Sequence, residues 1–251
     1  MRTVKIAMAQ IFCLDGDRAG NFVRIENAIR QAKEAGADII CLPEMVILGW
    51  VNPDAHERAC PVPGEDSGCL CDLAKKYEVF LCVGLAEKDG TNLYDSAVLI
   101  DEKGKIVLKH RKINILTELM TPPYNSGTEV NAVETKFGKI GLLICADTHE
   151  DDILERMVRL KPDLLLVPYG YAEQEKNWPE HGKELERVVR KAGRKTGAVV
   201  IGTNLVGEIT RGPWKGRIFG GHSVAADKNG KTLTIGTDQD RDIIIITVNI
   251  G

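Results

Sequence analysis

Short apolar runs alternate with helix-like stripes along the chain, and no other feature restricts the possible folds as much. Residues 4–9, 37–42, 79–86, 96–100 and 106–108 read as strands, as do 139–144, 163–168 and 198–203. Residues 21–35 place Phe22, Ile25, Ala28, Ile29 and Ala32 on one helical stripe that Gly36 stops. Further helices are expected up to Tyr77, over 150–160 and over 180–196. Glu102-Lys103-Gly104 and Lys228-Asn229-Gly230 supply turns, the second inside a strand-rich end at 219–249. Segment 110–130 has no clean period, carries Pro122-Pro123 and Asn125-Ser126-Gly127, and reads as a long functional loop. About a dozen strands exceed what a simple doubly wound sheet holds, so two packed sheets are expected in one α/β domain over residues 1–251.

Composition removes several classes of function. The 33 basic and 36 acidic residues nearly cancel, to −3, which argues against a nucleic-acid partner. No run approaches the 18 or so apolar residues of a membrane span, and residues 1–10 lack a signal-peptide core. Seven cysteines, at 13, 41, 60, 69, 71, 82 and 145, are scattered without framework spacing. Reduced thiols and a cytoplasmic location are therefore expected. The five histidines have no metal-ligand spacing, so no metal site is expected.

Three of the apolar runs end in a reactive side chain. Ile39-Ile40-Cys41-Leu42-Pro43 delivers Glu44, Val107-Leu108-Lys109-His110-Arg111 delivers Lys112, and Gly141-Leu142-Leu143-Ile144 delivers Cys145. Open α/β folds bind ligands at the carboxyl ends of strands, so the three can converge on one pocket. Cys145 precedes a helix with Asp147 or Thr148 as the expected N-cap, a position that pushes a thiol toward thiolate. Glu44 is the candidate base and Lys112 the candidate cation.

In this order the segments resemble the nitrilase, or carbon-nitrogen hydrolase, superfamily. The resemblance runs over nearly the whole chain. It includes Leu42-Pro43-Glu44, Asn92-Leu93-Tyr94-Asp95-Ser96-Ala97, Arg111-Lys112-Ile113 and Gly141-Leu142-Leu143-Ile144-Cys145-Ala146-Asp147. Gly202-Thr203-Asn204-Leu205-Val206-Gly207 and Phe219-Gly220-Gly221-His222-Ser223 extend it through the C-terminal half. It implies a four-layer αββα sandwich, two packed mixed sheets flanked by helices, with a Glu44–Lys112–Cys145 triad and no cofactor. Cys145 would attack an amide carbonyl while Glu44 takes its proton. Lys112 and the backbone N–H of Ala146 would hold the oxyanion. Glu118 is the best match to a supporting glutamate that many members carry in the covering loop. A homodimer or higher homo-oligomer is also implied.

The expected activity is hydrolysis of a non-peptide C–N bond in a small linear amide or N-carbamoyl compound through a thioester. The alternatives are a true nitrilase and a non-catalytic or redox-sensing thiol protein on the same fold. After Cys145-Ala146-Asp147 the chain reads Thr148-His149-Glu150-Asp151-Asp152, without the Phe-Pro pair of many amidases or the Trp-Glu of nitrilases proper. His149 stands near where some members place a carboxylate-binding arginine, which weakens an ω-amidase reading. The acidic run reads either as a helix cap or as a site for a cationic substrate tail. Tyr124, His149, Tyr171 and Trp178 are the candidate pocket residues.

Overall fold

The computed structural model of the chain describes residues 2–250. Fifteen strands and five α-helices, numbered in chain order, build it. Six strands form the first sheet: β1 (Arg2–Gln10), β2 (Ile39–Cys41), β3 (Phe80–Asp89), β4 (Asn92–Ile100), β5 (Ile106–Arg111) and β15 (Asp242–Ile250). Their order is β15-β1-β2-β3-β4-β5. The second sheet uses β6 (Ala132–Thr135), β7 (Gly138–Leu142), β8 (Leu164–Tyr169), β10 (Val199–Asn204), β13 (Val224–Ala226) and β14 (Thr232–Ile235). Its order is β14-β13-β10-β8-β7-β6. A small third sheet joins β9 (Ala172–Glu173), β11 (Val206–Glu208) and β12 (Ile218–Gly220). The helices are α1 (Arg18–Glu34), α2 (Ala55–Arg58), α3 (Glu65–Tyr77), α4 (Asp151–Leu160) and α5 (Glu180–Thr196).

Period-two alternation sorts the first sheet into two faces. Ile6 and Met8 of β1, Ile39 of β2 and Leu99 of β4 enter the core shared with Leu142 of β7 and Leu166 of β8. Their chain neighbours Ala7, Ile40 and Val98 instead meet Ile25 and Ile29 of α1 and Leu70 of α3. The second sheet is covered by α4 and α5 through Leu154, Met157, Leu185 and Val189. Helices, sheet, sheet and helices thus stack as the expected αββα sandwich, with both sheets mixed.

Local chemistry explains the helix ends. The Asp17 carboxylate accepts from Gly20 N at the start of α1, and Gly36 takes a positive φ just past its end. On α5, Leu185, Val188, Val189 and Ala192 make a buried i, i+3, i+4, i+7 stripe, and Gly197 ends it with φ +68°. Asp227 to Lys231 closes the expected hairpin between β13 and β14. The loop 112–131 is irregular apart from a single 3₁₀ turn, Thr117–Leu119.

Candidate active site

Three parallel strands and one antiparallel neighbour bring the chemistry to one end of the sandwich. β2 runs through Leu42 and Pro43 into Glu44, which is fully buried. β5 runs into Lys112, and β7 into Cys145. Lys112 Nζ donates to Glu44 Oε1 at 2.6 Å, and Cys145 lies within reach of both charges and lines the adjoining cavity. β8 ends in Tyr169, and the next residue, Gly170, donates its N–H to Glu44 Oε2 at 2.5 Å. A Cβ on Gly170 would sit 2.8 Å from Trp50 Cδ1 and 2.9 Å from Glu44 Oε2, so only glycine allows this approach.

Two further side chains complete the shell around the Glu44–Lys112 pair. Trp50 Nε1 donates to Glu44 Oε1 at 3.1 Å. Asp95, near the start of β4, accepts from Lys112 Nζ at 3.2 Å. The antiparallel register Ser96↔Arg111 puts Asp95 beside Lys112, and Lys112 N also donates to Asp95 O at 2.8 Å. Neither role is apparent in the sequence. Asp95 lies within the segment Asn92–Ala97, but its closeness to Lys112 depends on the β4–β5 pairing. Trp50 lies six residues past Glu44, in a segment with no helix or strand period.

Electrostatics differ from the expectation at the thiol. Burial, then the charge on Glu44, push Cys145 well above its ordinary value, so the resting group is a protonated thiol. The push toward thiolate expected from a following helix is outweighed by burial, and the helix is not adjacent: Cys145 starts a 3₁₀ turn, Cys145–His149, and α4 begins only at Asp151. Burial works against ionised Glu44 too, yet the Lys112 charge and the bonds it receives hold its carboxyl below the usual range. Burial works against charged Lys112, but the Glu44 carboxylate in contact with it outweighs that and raises it well above the usual amine value.

Cys145 takes φ +39°, a left-handed backbone that non-glycine residues rarely adopt. Asp147, expected to cap a helix, instead ties this sharp turn to the lysine strand. Its Oδ1 accepts from Ile113 N at 2.9 Å and Asn114 N at 2.8 Å, and its Oδ2 from Ile144 N at 3.1 Å. His110 Nε2 lies 2.8 Å from the same Oδ2. Thr148 Oγ1 donates to Cys145 O at 2.7 Å and meets Tyr169 OH at 2.9 Å.

The cavity over Cys145 has a volume of about 290 Å³. Its walls include Trp50, Leu119, His149, Tyr171, His181 and Trp214. Tyr171 is stacked between two imidazoles, on His181 at 4.0 Å and facing His149 at 6.0 Å between ring centres. Burial holds both imidazoles below the usual histidine range and leaves them neutral near pH 7. Trp214 meets Trp50 edge to face at 5.3 Å and carries the Arg217 guanidinium 3.7 Å over its ring. His149 and Tyr171 thus both line the cavity that holds Cys145.

Three expectations need correction. Glu118 is exposed on the 3₁₀ turn, and Lys112 has Asp95 as its second carboxyl partner. Trp178 is buried behind the wall, packed on Gly220 and beside His181 and His222, and does not line the cavity. Tyr124 is buried beside Asp95 and Lys112 and lines a small void that shares Trp50, Leu116 and Leu119 with the cavity over Cys145, but it does not line that cavity. The acidic run divides: Asp151 pairs with Lys191 at 2.9 Å and Lys195 at 3.0 Å, whereas Glu150 reaches the cavity rim and accepts from Asn114 Nδ2 at 3.0 Å. Among the described residues no cluster of His, Cys, Asp and Glu is arranged to hold a metal, and no helix is long and apolar enough to cross a membrane.

The family model for carbon-nitrogen hydrolase matches residues 5–251, and the chain belongs to that family. An omega-amidase from Mus musculus is 25% identical over 249 residues, covering 95% of this chain and 87% of the mouse protein. A bifunctional nitrilase/nitrile hydratase from Nicotiana tabacum is 28% identical over 163 residues, and the match spans only 47% of that longer protein. An amidase from the nitrilase superfamily of Nesterenkonia superposes with a TM-score of 0.84 at 19% identity, over 98% of this chain and 90% of that one. At that identity the superposition establishes the shared fold.

Proposed function

We propose that the chain hydrolyses a C–N bond other than a peptide bond, in a small linear amide or N-carbamoyl compound, and releases ammonia or an amine. The observation that carries this reading is the buried Glu44–Lys112 contact of 2.6 Å beside a cavity lined by the Cys145 thiol. A carboxylate base, an ammonium and a nucleophile of this kind are what acyl transfer needs.

Cys145 Sγ attacks the carbonyl carbon as its proton passes to Glu44. The carbonyl π pair moves to oxygen, where the Lys112 ammonium and the Ala146 N–H receive it. Collapse of the adduct expels the nitrogen group, protonated by Glu44, and leaves a thioester on Cys145. Glu44 then takes a proton from water, whose oxygen attacks the thioester, and the thiol departs with that proton. A thiol that starts protonated makes Glu44 indispensable, because ionisation and attack must occur together.

The cavity wall also limits the substrate. Glu150 is the one charged side chain among the described residues that line it, and its histidines are neutral. No lining cation is available for a substrate carboxylate, and an unpaired buried carboxylate costs several kcal/mol, roughly. An uncharged amide with a flat or apolar body fits between Tyr171 and the Trp50–Trp214 pair. The seven free cysteines support a reducing compartment such as the cytoplasm. Family membership supports a homodimer, which sedimentation at micromolar protein would test.

The direct experiment is an ammonia-release screen over amides, N-carbamoyl compounds and nitriles, with Cys145→Ala as control. Amide turnover lost in Cys145→Ala is the expected result. Turnover that survives the substitution, or acid formed from nitriles alone, would replace this reading.

A further inference from the structure

The buried cluster holds one more carboxyl than acyl transfer requires. Asp95 is 1% exposed, its Oδ2 faces Lys112 Nζ at 3.2 Å, and its Oδ1 has no hydrogen-bond partner. The buried hydroxyl of Tyr124 has none either. Both residues border a void of about 20 Å³, together with Lys112 and Trp50. A single water needs at least about 10–15 Å³ of such volume and two or more polar partners, and this void offers both.

Four other groups act on Asp95 from the elements around it. Glu44 follows β2, Lys112 follows β5, Tyr124 comes from the covering loop and Cys145 from the second sheet. If Glu44 and Asp95 were both ionised, one ammonium would face two carboxylates and the site would carry a net −1 before any reaction. The oxyanion would then form in a field that repels it. With Asp95 neutral, Glu44⁻ and Lys112⁺ cancel at rest. After proton transfer, neutral Glu44, Lys112⁺ and the oxyanion cancel again.

We propose that Asp95 is a positioning residue that keeps its proton throughout turnover, accepting from Lys112 through Oδ2 and donating through Oδ1 to a water shared with Tyr124. This rests on the proposed Glu44–Lys112–Cys145 chemistry and adds to it a fourth member. Burial and the neighbouring Glu44 charge both favour the neutral acid. The proton on Asp95 leaves Glu44 as the single carboxylate and therefore as the base. Loss of that proton at high pH pulls Lys112 toward Asp95 and closes the working range on the alkaline side.

The test compares wild type with Asp95→Asn, which keeps the shape, an acceptor for Lys112 and a donor toward the water. A wild-type-minus-variant infrared difference spectrum at pH 7 should contain a protonated carboxyl C=O band. The kcat–pH profile of the variant should retain turnover, within about tenfold of wild type at neutral pH, with its alkaline limb moved up by at least about one pH unit. Asp95→Ala serves the infrared comparison if Asp95→Asn folds poorly, and should lose more activity because Lys112 is left without that acceptor. An absent infrared band, or an alkaline limb that does not move, would overturn the assignment. The infrared result requires no turnover, so a failure of the proposed amidase chemistry would be recognised separately.

Discussion

The indole of Trp50 donates to Glu44 Oε1 at 3.1 Å while the same ring system packs perpendicular to Trp214 in the cavity wall, 5.3 Å between centres. One side chain therefore touches both the base and the substrate wall. Trp50→Phe keeps the wall and removes the donor. A hydrogen bond to a charged group is worth about 1.5–3 kcal/mol, so kcat/KM should fall roughly 10- to 100-fold. Removal of the donor destabilises the carboxylate and raises Glu44. The acid limb, which falls as Glu44 gains its proton, should therefore move to higher pH.

Gly170→Ala tests the close approach behind the base. A methyl at 2.8 Å from Trp50 and 2.9 Å from Glu44 must displace one of them. The expected cost is about 1–3 kcal/mol of stability, read as a lower denaturant midpoint, with a loss of kcat of at least about tenfold. Unchanged kcat would mean that the Gly170 N–H does not set the position of Glu44.

Asp147→Ala should act through the shape of the nucleophile turn. It strands three buried or half-buried N–H donors and the His110 ring nitrogen. Breaking such a set costs about 3–5 kcal/mol, or a Tm drop on the order of 10 °C for a chain of this size. Thermal unfolding monitored by circular dichroism measures it.

Glu118→Ala separates family resemblance from geometry. The side chain is exposed and Lys112 is held by Glu44 and Asp95, so kcat should stay within about threefold of wild type. A loss of two orders of magnitude would mean that the covering loop closes on the substrate and carries Glu118 inward.

Substrate charge is tested with amides of equal length that end in a methyl, a phenyl or a carboxylate group. The carboxylate compound should be the worst by at least about tenfold in kcat/KM, with most of the difference in KM. Glu150→Gln should recover part of that difference by removing the repulsion at the rim. A preference for the carboxylate compound would place an unrecognised cation at the cavity.

Much of this was legible from the residues because reactive groups at the ends of apolar strands report their own position. Glu44, Lys112 and Cys145 each follow a run whose length and composition define a strand; His149 lies just past the last of these ends, and Tyr171 just past the run 163–168. The runs 4–9, 37–42 and 96–100 likewise read as strands, but which of their residues face the helices and which the other sheet is set by the fold. Asp95, Trp50 and Gly170 were not legible because their roles arise from pairing and packing across the fold. Glu118 misled for the converse reason: a motif position in an irregular loop carries no information about which way the side chain turns. The state of Cys145 was misread because a helix start was visible in sequence, whereas the desolvation that outweighs it exists only in the folded site.

Glu44, Lys112 and Asp95 stand on one sheet, and Cys145 and Gly170 stand on the other. Neither sheet alone owns a reaction path. Turnover therefore reports the alignment of the two sheets across the shared layer of Leu99 and Leu142. A substitution there that slides one sheet by a fraction of an ångström would silence the enzyme while leaving every strand intact.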